Sequence, residues 1–523
     1  MTSESKGLLR GAFLLTIAGM LSKILSAGYR VPLQNFTGDV GFYIYQQIYP
    51  LLGMALVLSL YGFPSAISNI AAEVKRKQQK LTLNHFYLPI LLILFFMVGI
   101  IASLLFVFSG NVATWVGDPN LTRAYKIVAV SFLVIPFTSL LRGASQGHLQ
   151  MKPTAYSQVG EQVVRVFMII LVALYVNAQG VSMYRIGEGA AIASIFGGVV
   201  AIFILLIFMK RQEVPRISNE RIPWRYYIQT LLLLGFVAAL NHMVLLLFQF
   251  GDAFTLIPAL QEYGLLPREA MEEKGVLDRG QPLIQLGTVL GSSFALAMIP
   301  SISKSKLKEN PIEFYQKVRS SLAISFYLAF SATAGLIAIM PEANILLYQD
   351  LKGTVDLRIL MLAILLSAIG ITCATILQGL GYMKRTALLI LVAVMLNWIG
   401  NEWLVPIYGI TGSAISTVIG LAFFSCFVLL ELKRKLPNLQ FARYINWRAL
   451  FLATSAMLLY IFVIKQFLPA ELSRAGALFF VGIIASTGAC MYIFILIRGK
   501  ALKRSEIMML PFSRLLMRIY KER

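Results

Sequence analysis

Charge is what this sequence has least of. Of its 523 residues only 13% are Asp, Glu, Lys or Arg, against about 25% in an ordinary soluble domain. So few charges cannot coat a soluble fold in which 58% of the chain is apolar, which excludes soluble enzymes and disordered tails. Cysteine is nearly absent too. Cys373, Cys426 and Cys490 lie far apart in apolar stretches, so neither a disulfide framework nor a cysteine metal cluster is indicated. Carboxylates are scarce, 24 against 46 Lys and Arg, and form no ion-site-like cluster. The net charge of +22 would suggest nucleic acid in a soluble chain. Here the basic residues sit between apolar runs, where the positive-inside rule accounts for them, and no nucleic acid is expected.

What the chain does have is long apolar runs, with mean hydropathy +0.75. A membrane span needs about 20 predominantly apolar residues. Fourteen windows qualify: 8–33, 42–68, 85–109, 122–145, 155–177, 186–209, 227–251, 283–303, 318–341, 357–380, 386–407, 409–431, 449–468 and 475–497. The expected fold is therefore an all-α polytopic membrane protein. Its connections alternate between basic and non-basic. On one side 33 Lys and Arg accumulate, Arg142 among them. The other side has nine: Arg123, Arg185, Arg268, Lys274, Arg279, Lys352, Arg358, Lys465 and Arg474. That ratio predicts both termini in the cytoplasm of a cell-membrane protein. The first window follows Lys6 and Arg10 without a small-residue cleavage site, so it is expected to remain as a helix.

One external connection, 252–282, is long and carries Glu262, Glu269, Glu272, Glu273 and Asp278. It divides an N-lobe, 1–226, from a C-lobe, 227–446. Two further spans occupy 447–498, and a basic cytoplasmic tail 499–523. In that tail Pro511 precedes Phe512, Leu515, Leu516 and Ile519, an apolar face expected to lie on anionic lipid.

The halves repeat. QGHLQMKPTA from Gln146 and QGLGYMKRTA from Gln378 share Gln, Gly, Met, Lys, Thr and Ala in register, 232 residues apart. Pro64-Ser65 matches Pro300-Ser301, and GAAIASIFG from Gly189 matches GSAISTVIG from Gly412. Six spans per half is an even number, so the repeat is parallel, about an axis along the membrane normal. Repeated halves around a central site are the architecture of alternating-access transporters.

The order of motifs resembles the multidrug/oligosaccharidyl-lipid/polysaccharide exporter superfamily, in the polysaccharide-export and lipid II flippase branch that includes stage V sporulation protein B. The carrying residues are KGLLRGAFLLTIAGMLSKILSAGYRVPLQNFTG from Lys6, GDVGFYIYQQIYP, GFPSAIS from Gly62, the QGxxxMK turn, and DRGQPLIQLGTVLGSSFALAMIPSIS from Asp278. The resemblance implies two lobes in a V around a central cavity. It also implies an undecaprenyl-pyrophosphate-linked sugar as cargo, moved between leaflets without ATP, cofactor or catalysis. Cell-wall synthesis proteins would be further partners. Lys23, in SKIL, stands where the similar SRxL motif has Arg.

Charges inside a membrane cost roughly 2.5–3.5 kcal/mol or more each, so a role is their default reading. Lys23 lies about 22 Å along the first helix at 1.5 Å per residue. It is expected to be a cavity-facing cation. Arg30, seven residues on, shares its face, with snorkelling to the headgroups as the bland alternative. Lys126 is expected to snorkel. Arg165 has Glu161 one turn before it, a pairing that lowers the cost of burial, with a cavity role as the other reading. Asn241 and His242 must face protein or water, and are candidates either to bind cargo or to bond a neighbouring helix. Asp252 and Glu161 are candidates for a coupling ion, and no metal site is expected. Asp39, Gly41 and Tyr43 suggest a tight external turn. A cation-coupled multidrug exporter, a membrane glycosyltransferase or polymerase, and an envelope-assembly scaffold are the competing functions.

Overall fold

A computed structural model describes residues 3–210, 221–298, 304–469, 472–508 and 513–520. Pro300-Ser301 and Pro511-Phe512 lie outside the described residues. Every regular element among those described is a helix. Twelve segments are long and apolar enough to cross a membrane. This is a multi-pass membrane protein.

Twelve is not fourteen, for two reasons. The first two windows fall within one run, Leu14–Arg76, of 63 residues. Inside it Gly38 breaks the helical geometry at φ 65°, ψ −174°, a conformation that glycine alone adopts without steric cost. The expected turn is thus a single-residue break, and Asp39 beside it accepts a 3.0 Å hydrogen bond from Gln34. The eighth window falls on Gly280–Met298 and runs past the described residues.

The external connection differs most from expectation. Span seven does not stop near 251. After an irregular residue at Met243 it continues as Val244–Glu262, and Pro267–Asp278 forms a second helix. Leu256, Ile257 and Leu260 carry the apolar helical period onward and are fully buried, which is why the span extends. Pro267–Asp278 packs on the Arg30–Val57 helix of spans one and two. A Cβ on Gly275 would lie 2.2 Å from the Asp39 carbonyl oxygen, so only glycine permits this approach. Lys274, Asp278 and Arg279, read as loop residues from the sequence, are buried.

The contacts define two compact units, 1–278 with 383–413, and 279–382 with 414–523. In the first, spans five and six (Lys152–Gln179 and Arg185–Met209) are joined through small residues: a Cβ on Gly189 would meet Val172 at 2.4 Å. In the second, Tyr327, Leu450, Ala453, Ile484 and Tyr492 form a core that also takes in Ala501, Leu502 and Ile507 of the tail. The start of the tail is thus part of this core. Leu516, Met517 and Tyr520 pack on the same core, and Tyr444 donates a 2.6 Å hydrogen bond to buried Glu506.

The repeat recurs in the backbone. Leu149 N–H donates to the Gln146 carbonyl at 2.8 Å, and Gly381 N–H to Gln378 at 2.9 Å. Both residues have positive φ, 61° and 80°. Gly189 faces Val172, and Gly412 faces Leu404, 232 residues beyond Val172. The same local turn after the QG dipeptide is built twice, while the two glycines meet different things, Gly189 a side chain and Gly412 backbone.

Candidate anion-binding site in the first unit

Lys23 lies in the Ser3–Gly28 helix of span one, half-buried, with no ion pair or hydrogen bond among the described residues. Its surroundings come from three other spans. Gly19, one turn earlier, faces the Tyr61 hydroxyl and the Gln158 amide, which a Cβ would meet at 3.4 and 3.8 Å. His242 stacks on Tyr61 with ring centroids 4.5 Å apart and planes 19° apart, within electrostatic reach of Lys23. Tyr61 sits in a π-helical turn, Leu58–Gly62, of the kind that recurs at functional sites.

Arg30 does not snorkel. It is 0% exposed, its guanidinium lies 3.9 Å from the centre of the Tyr49 ring, and Nε and both Nη atoms lack a hydrogen-bond partner. Tyr29 and Tyr45, hydrogen-bonded to one another, complete the aromatic wall. The helix passes through Tyr29 (φ −71°, ψ −18°), so Lys23 and Arg30 keep one face, about 10 Å apart. A buried guanidinium that rests on rings, with Tyr29 and the charge of Asp278 near it but no N–H in hydrogen-bond geometry, has donors to offer an incoming anion.

Glu161 and Arg165 form the expected i, i+4 pair, at 2.8 Å, but they do not stand alone. Arg142 donates to the other Glu161 oxygen at 2.7 Å, to Ser157 Oγ at 3.1 Å and to Ser59 Oγ at 3.1 Å. Assigning Arg142 to a loop is thus overturned: it is 0% exposed within Ile135–Gly147. Its place at the end of its apolar window, in LLRGASQG, hid it. Each carboxylate oxygen of Glu161 is thus held by one arginine. A cavity of about 20 Å³, room for one water, adjoins Arg165, whose Nε is unpaired.

Asn241 is a tie between helices. Its amide donates to the Met383 carbonyl at 3.2 Å and its oxygen accepts from Thr386, joining span seven to span eleven. Asp252 is buried and accepts from Asn397 at 3.0 Å and Asn401 at 2.8 Å; Asn401 also donates to Thr255 at 2.9 Å. The two asparagines, one turn apart in an apolar helix, stand in the sequence as MLNWIGNEW, where their spacing is the signal. Lys126 is exposed near the Phe106 ring, as snorkelling requires.

With this geometry in view, the profile of the polysaccharide biosynthesis protein family matches residues 8–306. The chain is 35% identical to the uncharacterized membrane protein YabM of Bacillus subtilis, over 98% of this chain and 97% of that one. It belongs to the polysaccharide biosynthesis protein family. The lipid II flippase MurJ of Bacillus subtilis is 24% identical over 94% of this chain and 95% of its own. Among solved structures, the lipid II flippase MurJ in an inward closed conformation superposes with TM-score 0.69, covering 92% of this chain and 98% of that one at 12% identity. The family and its fold bear out membership of the exporter superfamily that the motifs resembled.

Proposed function

We propose that this protein is a flippase for an anionic, undecaprenyl-pyrophosphate-linked cell-envelope sugar, a peptidoglycan or polysaccharide precursor, moved from the inner to the outer leaflet by alternating access. One observation carries the reading: Arg142 and Arg165 share the one carboxylate Glu161, while Lys23 and Arg30 on span one make no ion pair, Arg30 having only the charge of Asp278 at a distance. Unpaired cations this deep favour an anionic cargo and oppose an organic cation. A diphosphate meeting Lys23 and then Arg30 would exchange oxygens along one helix face, with Arg30 offering a guanidinium fork. His242 on its Tyr61 platform lines the approach to Lys23. Asn241 is a positioning residue that ties span seven to span eleven. Asp252, ringed by neutral amides, is the group we assign to a coupling monovalent cation or proton. Arg165 and Glu161 shape the wall through their network with Arg142.

The family membership supports the sugar-lipid class, and the MurJ relative, by its name, handles lipid II. The test is a leaflet-resolved assay of lipid-linked sugar exposure in cells lacking their own flippase. Lys23→Ala should abolish exposure with the protein at a near-normal level, while Lys23→Arg should retain much of it. Normal transport by Lys23→Ala, or loss explained by disappearance of the protein from the membrane, would refute the cationic mechanism.

A further inference from the structure

The transport reading leaves Lys274 and Asp278 without a role, although burying two charges demands a reason. Both belong to the first unit, as do Asp252 and Arg30, and all four are buried. Their signs alternate. Lys274 Nζ donates to Asp278 at 2.8 Å, one turn away on Pro267–Asp278. Lys274 and Asp278 both lie within electrostatic reach of Asp252, and Arg30 lies within reach of Asp278. The ion pair thus stands between the candidate cation site and the candidate anion site.

One helix, Arg30–Val57, holds the pieces together. Gln34, one turn beyond Arg30, donates to Asp39, whose carbonyl oxygen lies so near Gly275 that only glycine fits, and Gly275 adjoins Lys274. Further along the same helix, Gln47 donates to the carbonyl of Ala253, the residue after Asp252, at 3.1 Å and to the Tyr43 hydroxyl at 3.5 Å. The Lys274 ammonium stands 5.7 Å from the centre of that Tyr43 ring. Held in place and away from water, these charges are little screened, so neutralising one changes the balance at the next.

We propose that Lys274 and Asp278 are positioning residues that couple cation binding at Asp252 to anion binding at Arg30. The inference rests on the flippase reading and deepens it. With Asp252 empty, the Lys274 charge is divided between two carboxylates, and Asp278 keeps negative charge for Arg30. With a cation or proton on Asp252, Lys274 belongs to Asp278 alone. Arg30 then loses its counter-charge and takes a phosphate instead. The coupling ion and the anionic cargo tighten each other's binding without touching, and by linkage the factor is the same in both directions.

The test is calorimetric titration of the purified full chain with inorganic pyrophosphate. Asp252→Asn imitates the occupied cation site whichever cation it takes, and should tighten pyrophosphate about fivefold or more, the lower end of ordinary coupling. Asp278→Asn removes the counter-charge of Arg30 and should tighten it similarly, a gain that a misfolded protein cannot produce. Lys274→Met should weaken it, because Asp278 then turns to Arg30. Added to either Asp278→Asn or Lys274→Met, Asp252→Asn should change affinity by less than about twofold, since the link is already cut. A full effect of Asp252→Asn in both backgrounds would mean that its field acts directly on the anion, and would overturn the relay while leaving the flippase reading intact. So would unchanged affinity in Asp252→Asn or Asp278→Asn. Pyrophosphate binding indifferent to Arg30→Leu would remove the anion site itself, and the relay with it.

Discussion

Arg30 and Glu161 are both buried, yet their substitutions should act in opposite directions. Arg30 loses hydration without gaining a hydrogen bond, so the Tyr49 ring and the charge of Asp278 offset only part of its cost and a ligand would supply the rest. Arg30→Leu should therefore leave the thermal midpoint of the solubilised protein unchanged or higher while lowering transport at least about tenfold, the loss of one charge-assisted contact. Glu161→Gln strands two guanidinium groups, and breaking a buried pair from one side costs roughly 3–5 kcal/mol. Its midpoint should fall clearly. If Arg30→Leu destabilises and Glu161→Gln does not, the roles assigned to them are reversed. At this scale the sequence was informative where depth decides: Lys23 and Arg30 stand well inside one apolar run. It failed for Arg142, because a hydropathy window ends where polar residues begin, whether those residues meet water or a buried Glu161 from another helix.

At the level of elements, the two halves use equivalent carboxylates differently. Asp118 and Asp350, 232 residues apart, each follow a positive-φ residue and each accept a hydrogen bond from the backbone two positions on, at 3.2 and 3.0 Å. Asp118 is held by the hydroxyls of Tyr184 and Tyr43, whereas Asp350 takes both Nη groups of Arg279 at 2.6 and 2.9 Å. Burial raises the Asp118 pKa above its ordinary value, outweighing its hydrogen bonds. Burial pushes Asp350 the same way, but the Arg279 hydrogen bonds and charge win and lower it. The stability that Asp350 supplies is present above its unfolded pKa of about 3.9 and is lost as pH falls through the lower folded value. That of Asp118 is present below about 3.9 and lost as pH rises through its higher folded value. Hence Asp350→Asn should lower the thermal midpoint at neutral pH, with the deficit closing in acid. Asp118→Asn should compare best with wild type at neutral pH and worst in acid. Midpoints measured across the acid-to-neutral range decide it, and parallel curves for the two variants would contradict the assignment. The sequence exposed the repeat through its Gly, Pro and QGxxxMK punctuation. It hid Pro267–Asp278, whose charges suit solvent until packing on spans one and two buries Lys274 and Asp278 as a pair at 2.8 Å.

For the whole molecule the open quantity is orientation, and burial sharpens it. Removing Arg142 from the basic side leaves 32 of its 33 cations; removing Lys274 and Arg279 leaves seven of the other nine. Buried cations satisfied by protein partners do not report which side of the membrane they came from, so the remaining asymmetry is the better measure. It predicts that the end of span twelve, with Lys433, Arg434 and Lys435, lies in the cytoplasm, and that the Gly264–Glu272 region lies outside. Arg268 suits a probe, because its side chain is 85% exposed and its partner Glu272 is 3.4 Å away in a surface pair of small energetic weight. In a chain whose three native cysteines are replaced, Arg268→Cys should react with a membrane-impermeant maleimide in intact cells. Lys433→Cys should react only after permeabilisation. Cys373 is buried, but Cys426 and Cys490 are exposed on helices, so their replacement keeps the background silent. The reverse labelling pattern would invert the protein in the bilayer, and with it the direction of transport proposed from the basic face.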